Sequence, residues 1–131
     1  MIVGFPGETN NDFLKTYNFL NELDISYLHV FTYSERPDTD AVKMGETVSK
    51  EKRAERSRML HILSDKKRRF FYDQFVNQRR PVLFENMKNG KLLGHTDNYI
   101  QIQVDGGFDL INTIHPVKLI LNHGAAVDGQ L

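Results

Sequence analysis

The stretch Ile100-Gln101-Ile102-Gln103-Val104 alternates strictly between apolar and polar side chains. Because side chains of a β-strand point alternately to opposite faces, this period predicts a strand with one face in a core and the other in water. Upstream, Val82-Leu83-Phe84 predicts the entry to another strand, and Asn89-Gly90 strongly favours a hairpin turn. Residues 117–121 and 125–131 predict two more short strands. Five short strands in roughly 50 residues indicate a small closed or nearly closed all-β barrel of the OB type.

A long basic helix is predicted before this barrel, from Ser49, a typical N-cap residue, to about residue 77. Its apolar stripe consists of Leu60, Leu63, Phe70, Phe71 and Phe75. Pro81 stops the helix, since proline cannot continue it. Residues 50–80 hold 11 of the 17 Lys and Arg residues but only 4 of the 17 acidic residues. Such asymmetry is typical of an element that faces a polyanion, although a solvated helix also shows it.

The N-terminal part predicts a strand–helix–strand unit. Residues 2–5 read as a buried strand end, and Thr9 with Asp12 forms the pattern of a capping box at the start of a helix. Residues 25–33 are apolar on both sides, as expected of a parallel strand covered on both faces. The loops that follow two parallel strands emerge at the same edge of the sheet, where α/β folds bind ligands. We therefore expect an α/β unit with a ligand-facing edge.

Composition narrows the classes of function. The 131 residues are 40% hydrophobic and 26% charged, which is typical of a globular protein. No apolar stretch is long enough to cross a bilayer and no secretion signal is recognisable, so we expect a cytoplasmic protein. The chain has no cysteine, and its five histidines never fall three or four residues apart. These counts predict no disulfide, no cysteine-bound cluster and no metal site on this chain.

The loop Gly4-Phe5-Pro6-Gly7-Glu8-Thr9 has two interpretations. It lacks the Lys-Ser/Thr pair of a phosphate-binding loop, so a nucleotide-hydrolysing enzyme is disfavoured. It is either a tight strand-to-helix turn or a ligand loop in which Gly4 admits a flat ligand, Phe5 packs on it and Glu8 accepts a hydrogen bond. Similarly, Arg36 lies just past the second strand, where its guanidinium suits a carboxylate or phosphate or a surface ion pair.

Three motifs carry a resemblance to a known family. They are Gly-Phe-Pro-Gly-Glu-Thr at residues 4–9, Tyr-Ser-Glu-Arg-Pro-Asp-Thr at residues 33–39, and Gly-His-Thr-Asp-Asn-Tyr at residues 94–99. Together they resemble the radical S-adenosylmethionine tRNA methylthiotransferases, most closely the threonylcarbamoyladenosine branch. The last motif is similar to the signature of the TRAM domain, an RNA-binding barrel. Asp38 and Asp40 stand where relatives more often have Gly and Pro, so the second loop departs from the family pattern.

The resemblance implies a division and an activity. Residues 1–48 would be the C-terminal piece of a radical-SAM barrel, residues 49–79 a connector helix, and residues 80–131 a TRAM barrel. The parent enzyme would use S-adenosylmethionine and 4Fe-4S clusters to add a methylthio group to a modified adenosine beside the anticodon of a tRNA. The cluster cysteines would lie in upstream domains of the parent, so this chain carries no catalytic residue and is expected to be inactive alone. Gly4, Phe5, Glu8 and Arg36 would line the mouth of the barrel and touch the cofactor.

The sequence also predicts an RNA face on the second part of the chain. Its candidate residues are Arg79, Arg80, Lys88, Lys91, His95, Asn98 and Tyr99. Cationic side chains neutralise phosphates, and aromatic rings on a barrel stack with single-stranded bases. Alternatively, Tyr99 belongs to the core and the lysines only solubilise a hairpin. A second overall hypothesis is a self-standing, non-catalytic module that binds RNA or protein.

Overall fold

The structure is a computed structural model that describes all residues from Met1 to Leu131. It divides into two compact units, Met1–Lys67 and Arg68–Leu131, with the boundary inside a long helix. No helix in it has the length and apolarity needed to cross a lipid bilayer. The elements of the first unit and the shared helix are β1 (Ile2–Val3), α1 (Asn10–Glu22), β2 (Phe31–Thr32), α2 (Asp40–Lys43) and α3 (Lys50–Asp73).

The start of α1 is set by local hydrogen bonds, as predicted. The Asp12 backbone N–H donates to Thr9 Oγ1, and the Thr9 backbone N–H donates to Asp12 Oδ2, each at 3.1 Å. This reciprocal capping box satisfies two backbone donors that the first turn leaves without helical partners. The same hydrogen bond from the Thr9 backbone holds the pKa of Asp12 below its ordinary value.

The first unit has a small core of Val3, Phe13, Leu60 and Leu63, contributed by β1, α1 and α3. Ser64 ties α3 to the segment before β2, because its hydroxyl donates to the Leu28 carbonyl at 3.0 Å and accepts from the Leu28 N–H at 2.8 Å. The strands β1 and β2 pair in parallel, with Ile2 opposite Phe31. The predicted strand–helix–strand order is therefore present.

The prediction of a long second strand covered on both faces is wrong. Only Phe31–Thr32 of residues 25–33 is extended in the sheet, and Phe31 is 63% exposed. Leu28 and Val30 pack against the small core on one side. Both residues of β2 are exposed, so the structure leaves this short strand uncovered.

Helix α3 is shorter than predicted, since it ends at Asp73 instead of continuing to residue 77. Asn77 has a left-handed backbone (φ 72°), and its N–H donates to the Leu119 carbonyl at 2.7 Å. The backbone of Asn77 is therefore hydrogen-bonded to the strand that contains Leu119 instead of continuing the helix. The predicted apolar stripe is also only partly buried: Phe71 and Phe75 pack against the core of the second unit, whereas Phe70 is 69% exposed.

The second unit contains the five-stranded barrel predicted from the alternating pattern. Its strands are β3 (Arg79–Lys88), β4 (Lys91–Thr96), β5 (Gln101–Val104), β6 (Ile114–Asn122) and β7 (Val127–Gln130), with a 3-10 turn at Phe108–Leu110. The barrel closes in the order β3-β4-β5-β7-β6, and only the β5–β7 pair is parallel. Asn89 and Gly90 both have positive φ, the geometry of the hairpin turn expected there. Alternate residues of the five strands fill the interior: Val82, Phe84, Leu92, Ile102, Val104, Val117, Leu119 and Val127.

The ends of two strands differ from the sequence-based expectation. Strand β6 begins at Ile114 instead of residue 117, because residues 114–118 pair with β3, and β7 ends one residue before the C-terminal Leu131. Pro116 lies opposite Pro81 in this pairing. The Phe84 N–H donates to the Thr113 carbonyl, so in this register the Pro81–Pro116 pair is one whose N–H positions point away from the partner strand. The two prolines therefore remove no hydrogen bond from the β3–β6 ladder.

Acid should weaken the first unit through the Glu35–Arg53 pair. Glu35 Oε1 accepts from Arg53 Nη2 at 2.6 Å, and this hydrogen bond is the main cause that lowers the pKa of Glu35 from 4.5 to about 2. A carboxyl with a lowered pKa stabilises the fold above its unfolded pKa and loses that effect as the pH falls through its folded pKa. We expect E35Q to be less stable than the parent chain at pH 6 and equally stable near pH 2, as measured by urea unfolding at each pH. E46Q, at an exposed carboxylate without a side-chain partner, is the control; a constant E35Q deficit from pH 6 to pH 2 would contradict the assignment.

Candidate nucleic-acid interface on the barrel

Strand register places a continuous row of side chains on the outside of the barrel. Residues of β3 alternate between the interior and the outside, and their partners on β4 and β6 share the same face. The outward pairs are Arg79 with Lys118, Pro81 with Pro116, Leu83 with Ile114, and Leu83 with His95. We call this set the outer stripe.

Two cations lie directly opposite each other at one end of the outer stripe. Arg79 and Lys118 are cross-strand partners, both are exposed, and neither forms an ion pair with a carboxylate. Like charges facing each other across a sheet are destabilising. An anion bound between them would remove that repulsion, so the pair is a candidate phosphate contact.

The other end of the outer stripe borders a groove of about 330 Å³. Its lining residues are Pro81, Leu83, Glu85, His95, Thr96, Asp97, Tyr99 and Ile114. Three apolar or aromatic side chains leave much of their surface open here: Leu83 is 44% exposed, Ile114 66% and Tyr99 75%. The His95 and Tyr99 ring centroids are 6.0 Å apart. The groove therefore combines an apolar wall with two rings that can stack on a flat ligand.

Both carboxylates in the groove have a basic neighbour. Glu85 Oε1 lies 2.9 Å from His95 Nδ1, and Asp97 Oδ1 accepts from Arg80 Nη1 at 3.1 Å. Arg80 also lies over the Phe75 ring, 4.5 Å from its centroid. These contacts fix the orientation of the side chains that surround the groove.

The turn that presents Tyr99 is held by Thr96. The Thr96 hydroxyl accepts from the Ile100 N–H at 2.9 Å and donates to the Asn98 side-chain oxygen. The Thr96 carbonyl accepts from the Tyr99 N–H at 3.1 Å. Just before the turn, Gly94 allows β4 to approach β3 closely, because a Cβ there would lie 2.2 Å from the Leu83 carbonyl oxygen. In the motif at residues 94–99, Gly94 thus allows the close approach of β4 to β3, and Thr96 fixes the turn that follows.

In the first unit, Glu8 is enclosed by the protein. Glu8 Oε1 accepts from the Gly4 N–H at 2.8 Å and from Arg56 Nη1 at 2.9 Å, and both charged side chains are almost fully buried. Gly4 has φ 81°, and a Cβ there would lie 2.5 Å from Arg53 Cγ. The glycine loop is therefore stabilised by an internal carboxylate and packed against α3.

Comparisons with known proteins give consistent relatives over nearly the whole chain. It is 37% identical over 125 residues to the threonylcarbamoyladenosine tRNA methylthiotransferase of Bacillus subtilis, covering 92% of this chain and 28% of that protein. The Aquifex aeolicus protein of the same name is 41% identical over 106 residues, covering 81% of this chain and 25% of that protein. A tRNA-2-methylthio-N(6)-dimethylallyladenosine synthase of a Sulfurovum species is 32% identical over 132 residues, covering 100% of this chain and 31% of the relative. No family model matches the chain.

The chain belongs to the tRNA methylthiotransferase family. It spans between a quarter and a third of the length of the curated relatives it matches. The recognition based on the three sequence motifs is therefore confirmed.

The methylthiotransferase family implies S-adenosylmethionine and 4Fe-4S clusters, but the residues of this chain do not fit a cluster. The chain has no cysteine, and no three His, Asp or Glu side chains are grouped so that they could hold a metal ion.

Within this methylthiotransferase chain, the structure gathers some of the sequence-predicted RNA residues and separates others. Arg79 and His95 belong to the outer stripe, Tyr99 lines the groove, and Arg80 turns towards Phe75 and Asp97. Asn98 is partly buried as an acceptor for Thr96, so it shapes the turn.

Two of the predicted lysines lie elsewhere on this methylthiotransferase chain. Lys88 and Lys91 face each other beside the hairpin turn. Lys88 lies nine residues from Arg79 along β3, roughly 30 Å in an extended strand. Lys91 Nζ donates to Asp105 Oδ1 at 2.8 Å, and this bond raises the pKa of Lys91. The hairpin side is therefore a second basic patch, separate from the groove.

Sequence reasoning missed Lys118, Ile114 and Pro116 of the outer stripe. Their face follows from β6, where Val117 and Leu119 point inward and the alternate positions 114, 116 and 118 are exposed. The alternation of 114, 116 and 118 against the apolar positions 117 and 119 was a readable signal. It became meaningful only with the β3–β6 register, which pairs residues far apart in the chain.

The cofactor residues predicted in the first unit have different surroundings. Glu8 faces inward to Gly4 and Arg56, whereas Phe5 is 44% exposed and Arg36 is exposed. A cavity of about 540 Å³ lies next to Glu8, but Thr9, Asn10 and residues 46–49, Lys52 and Arg56 form the rest of its wall. Glu8 thus has an evident role in holding the loop.

Proposed function

We propose that this chain is the C-terminal part of a tRNA methylthiotransferase and that its barrel is the TRAM domain that binds the tRNA substrate. The parent enzyme adds a methylthio group to a modified adenosine next to the anticodon. S-adenosylmethionine chemistry and the 4Fe-4S clusters belong to upstream domains of that parent. This chain alone binds tRNA and catalyses nothing.

The outer stripe is the observation that carries this proposal. Binding of RNA draws most of its affinity from neutralised phosphates, and single-stranded regions add stacking on aromatic rings. The stripe provides Arg79 and Lys118 without acidic partners at one end, and its other end borders the groove that Tyr99 and His95 line. A purely structural surface would not require two facing cations and a Tyr ring that is three-quarters exposed.

The N-terminal part of the proposal concerns residues 1–48 as a piece of a radical-SAM barrel. Its support is the two-stranded parallel sheet, in which Ile2 is 56% and Phe31 63% exposed. Two parallel strands alone leave open edges and uncovered apolar faces, which further strands of the parent barrel would complete. In that setting Gly4, Phe5 and Arg36 line the barrel mouth towards the cofactor, and Glu8 fixes the loop. Residues 49–79 connect this piece to the TRAM barrel at 80–131.

Salt dependence tests the phosphate contacts of the barrel. We expect the tRNA affinity of the chain to fall steeply with salt, and R79A/K118A to make the slope of log K against log[salt] shallower by about one to two units, since each phosphate contact contributes roughly 0.7 to 0.9. Filter binding at 50 to 200 mM KCl measures both slopes. The double variant K15A/K43A, at two exposed lysines of the first unit, is the matched control and should retain the parent slope. A flat salt response of the parent chain, or equal slopes for both double variants, would refute this assignment.

A further inference from the structure

We propose that the groove beside Tyr99 binds one unpaired RNA base, while the Arg79–Lys118 pair holds a phosphate of a neighbouring nucleotide. This inference rests on the proposed tRNA-binding function and names the class of RNA that the barrel recognises. The ligand is a single-stranded loop or bulge, because a base in a duplex is already stacked between its neighbours and is not available to a protein ring.

Backbone geometry is the first support for this inference. Tyr99 has φ 66°, a left-handed conformation that is rare for a bulky residue with a Cβ atom. Residues held in such conformations persist where surrounding structure over-determines them, and they are concentrated at binding and active sites. Here the hydrogen bonds of Thr96 to Tyr99 and Ile100 supply that constraint. The turn therefore holds Tyr99 in an unfavourable backbone conformation, and in that conformation the aromatic ring is exposed to solvent.

The surroundings of the ring are the second support. His95 is tilted by 51° to Tyr99, and Leu83 and Ile114 supply an apolar wall. Glu85 fixes the His95 ring by contacting its Nδ1 at 2.9 Å. One side of a base would thus meet the Tyr99 face and its edge would meet apolar side chains and polar atoms, the arrangement used by proteins that bind single strands.

The charges of the groove distinguish a base from a phosphate. Glu85 and Asp97 both line it and already engage His95 and Arg80, so a phosphate inside the groove would have to compete with two carboxylates for those groups. A base carries no charge, and its amino groups can donate to these oxygens. The cations that suit a phosphate lie instead at Arg79 and Lys118, four residues from Leu83 along the strand or about 13 Å. We therefore assign the base to the groove and the phosphate to the Arg79–Lys118 pair on the same surface.

An RNA comparison tests the inference with the complete chain. The probes are an RNA stem-loop with an unpaired seven-nucleotide loop and a blunt duplex of equal length without unpaired bases. We expect the parent chain to bind the stem-loop about tenfold more tightly than the duplex, in the range that stacking on one aromatic side chain provides. Y99G should bring stem-loop affinity down to the duplex level and leave duplex affinity unchanged. Y99F, which keeps the ring, should bind both RNAs within twofold of the parent.

Two controls keep this result interpretable. Glycine accepts the left-handed backbone, so Y99G should melt at or above the temperature of the parent chain, and unfolding would not explain its loss of binding. F108A removes an aromatic side chain that is 76% exposed on the same unit but outside the groove, and it should bind both RNAs as the parent does.

Each outcome decides between the proposals. Equal affinity of the parent for stem-loop and duplex, an unchanged preference in Y99G, or an equal loss in F108A would overturn the base-binding groove while leaving RNA binding by the barrel in place. Binding of neither RNA would overturn the tRNA-binding function and this inference together.

Discussion

E8Q should lower the free energy of unfolding of the first unit by about 3 to 5 kcal/mol, because removing one member of a buried ion pair leaves the other charge without compensation. Arg56 is the charge left behind. Its Nη1 donates to Glu8 Oε1 and to the Glu8 carbonyl, both at 2.9 Å, and its Nη2 donates to Asn10 Oδ1 at 2.7 Å. The Gly4 N–H would also lose its carboxylate acceptor. The glycine loop and the start of α1 therefore depend on a single carboxylate.

A double variant separates the ion pair from the shape of the site. E8Q/R56M removes both charges and keeps comparable volumes, so it should be less destabilised than E8Q alone. Urea unfolding followed by circular dichroism at 222 nm reports this unit, since it contains α1, α2 and most of α3. A loss below about 1 kcal/mol for E8Q, or a double variant that is worse than E8Q, would contradict the buried pair.

G94A should destabilise the barrel by about 3 kcal/mol or more, the upper range for overpacking in a folded interior. The added Cβ would lie 2.2 Å from the Leu83 carbonyl oxygen, 2.9 Å from the Leu83 carbonyl carbon and 3.0 Å from Phe84 Cα. All three atoms belong to the backbone of β3, so no side-chain rotation relieves the clash. The β3 and β4 strands would have to separate, and the closed barrel would lose part of its ladder.

Comparing the melting temperatures of G94A and G45A tests whether the close approach of β3 and β4 requires a glycine at position 94. Gly45 has no atom within 4 Å of an added Cβ and no positive φ, so G45A should melt within about two degrees of the parent chain. G94A should melt more than ten degrees lower, the size of shift that a loss of this magnitude produces in a small domain. Equal melting temperatures for the two variants would show that β3 and β4 do not approach as closely as the structure has them.

Local patterns were sufficient to predict several elements. The Thr9–Asp12 capping box, the Asn89-Gly90 turn and the half-buried strand at 100–104 each depend on residues within a few positions of one another. The barrel follows from them, because alternating strands joined by tight turns can bury their apolar faces only by pairing. The family was readable because its motifs are short and contiguous.

The features that sequence did not predict depend on contacts between distant residues. Glu8 meets Arg56 across 48 positions, so its ion pair was not visible in the motif that contains it. Lys118 meets Arg79 through the β3–β6 register, and Asn77 leaves the helix because Leu119 accepts its N–H. Residues 25–33 looked buried because their composition is apolar on both sides, yet Leu28 and Val30 pack on the small core while both residues of β2 are exposed. The pattern of apolar and polar residues does not specify which distant elements a given face of a strand or helix will pack against.

The proposal that the barrel binds RNA through its outer stripe is tested most directly by amide chemical-shift mapping of the chain with the stem-loop RNA. The largest shifts should occur at the non-proline residues of 79–85, 95–99 and 114–118, and they should fade as KCl is raised. Gln103 and Asp128, which face each other on the β5–β7 side of the barrel, should stay unshifted. Shifts concentrated on that opposite side, or no shift at any residue at 50 mM KCl, would contradict it.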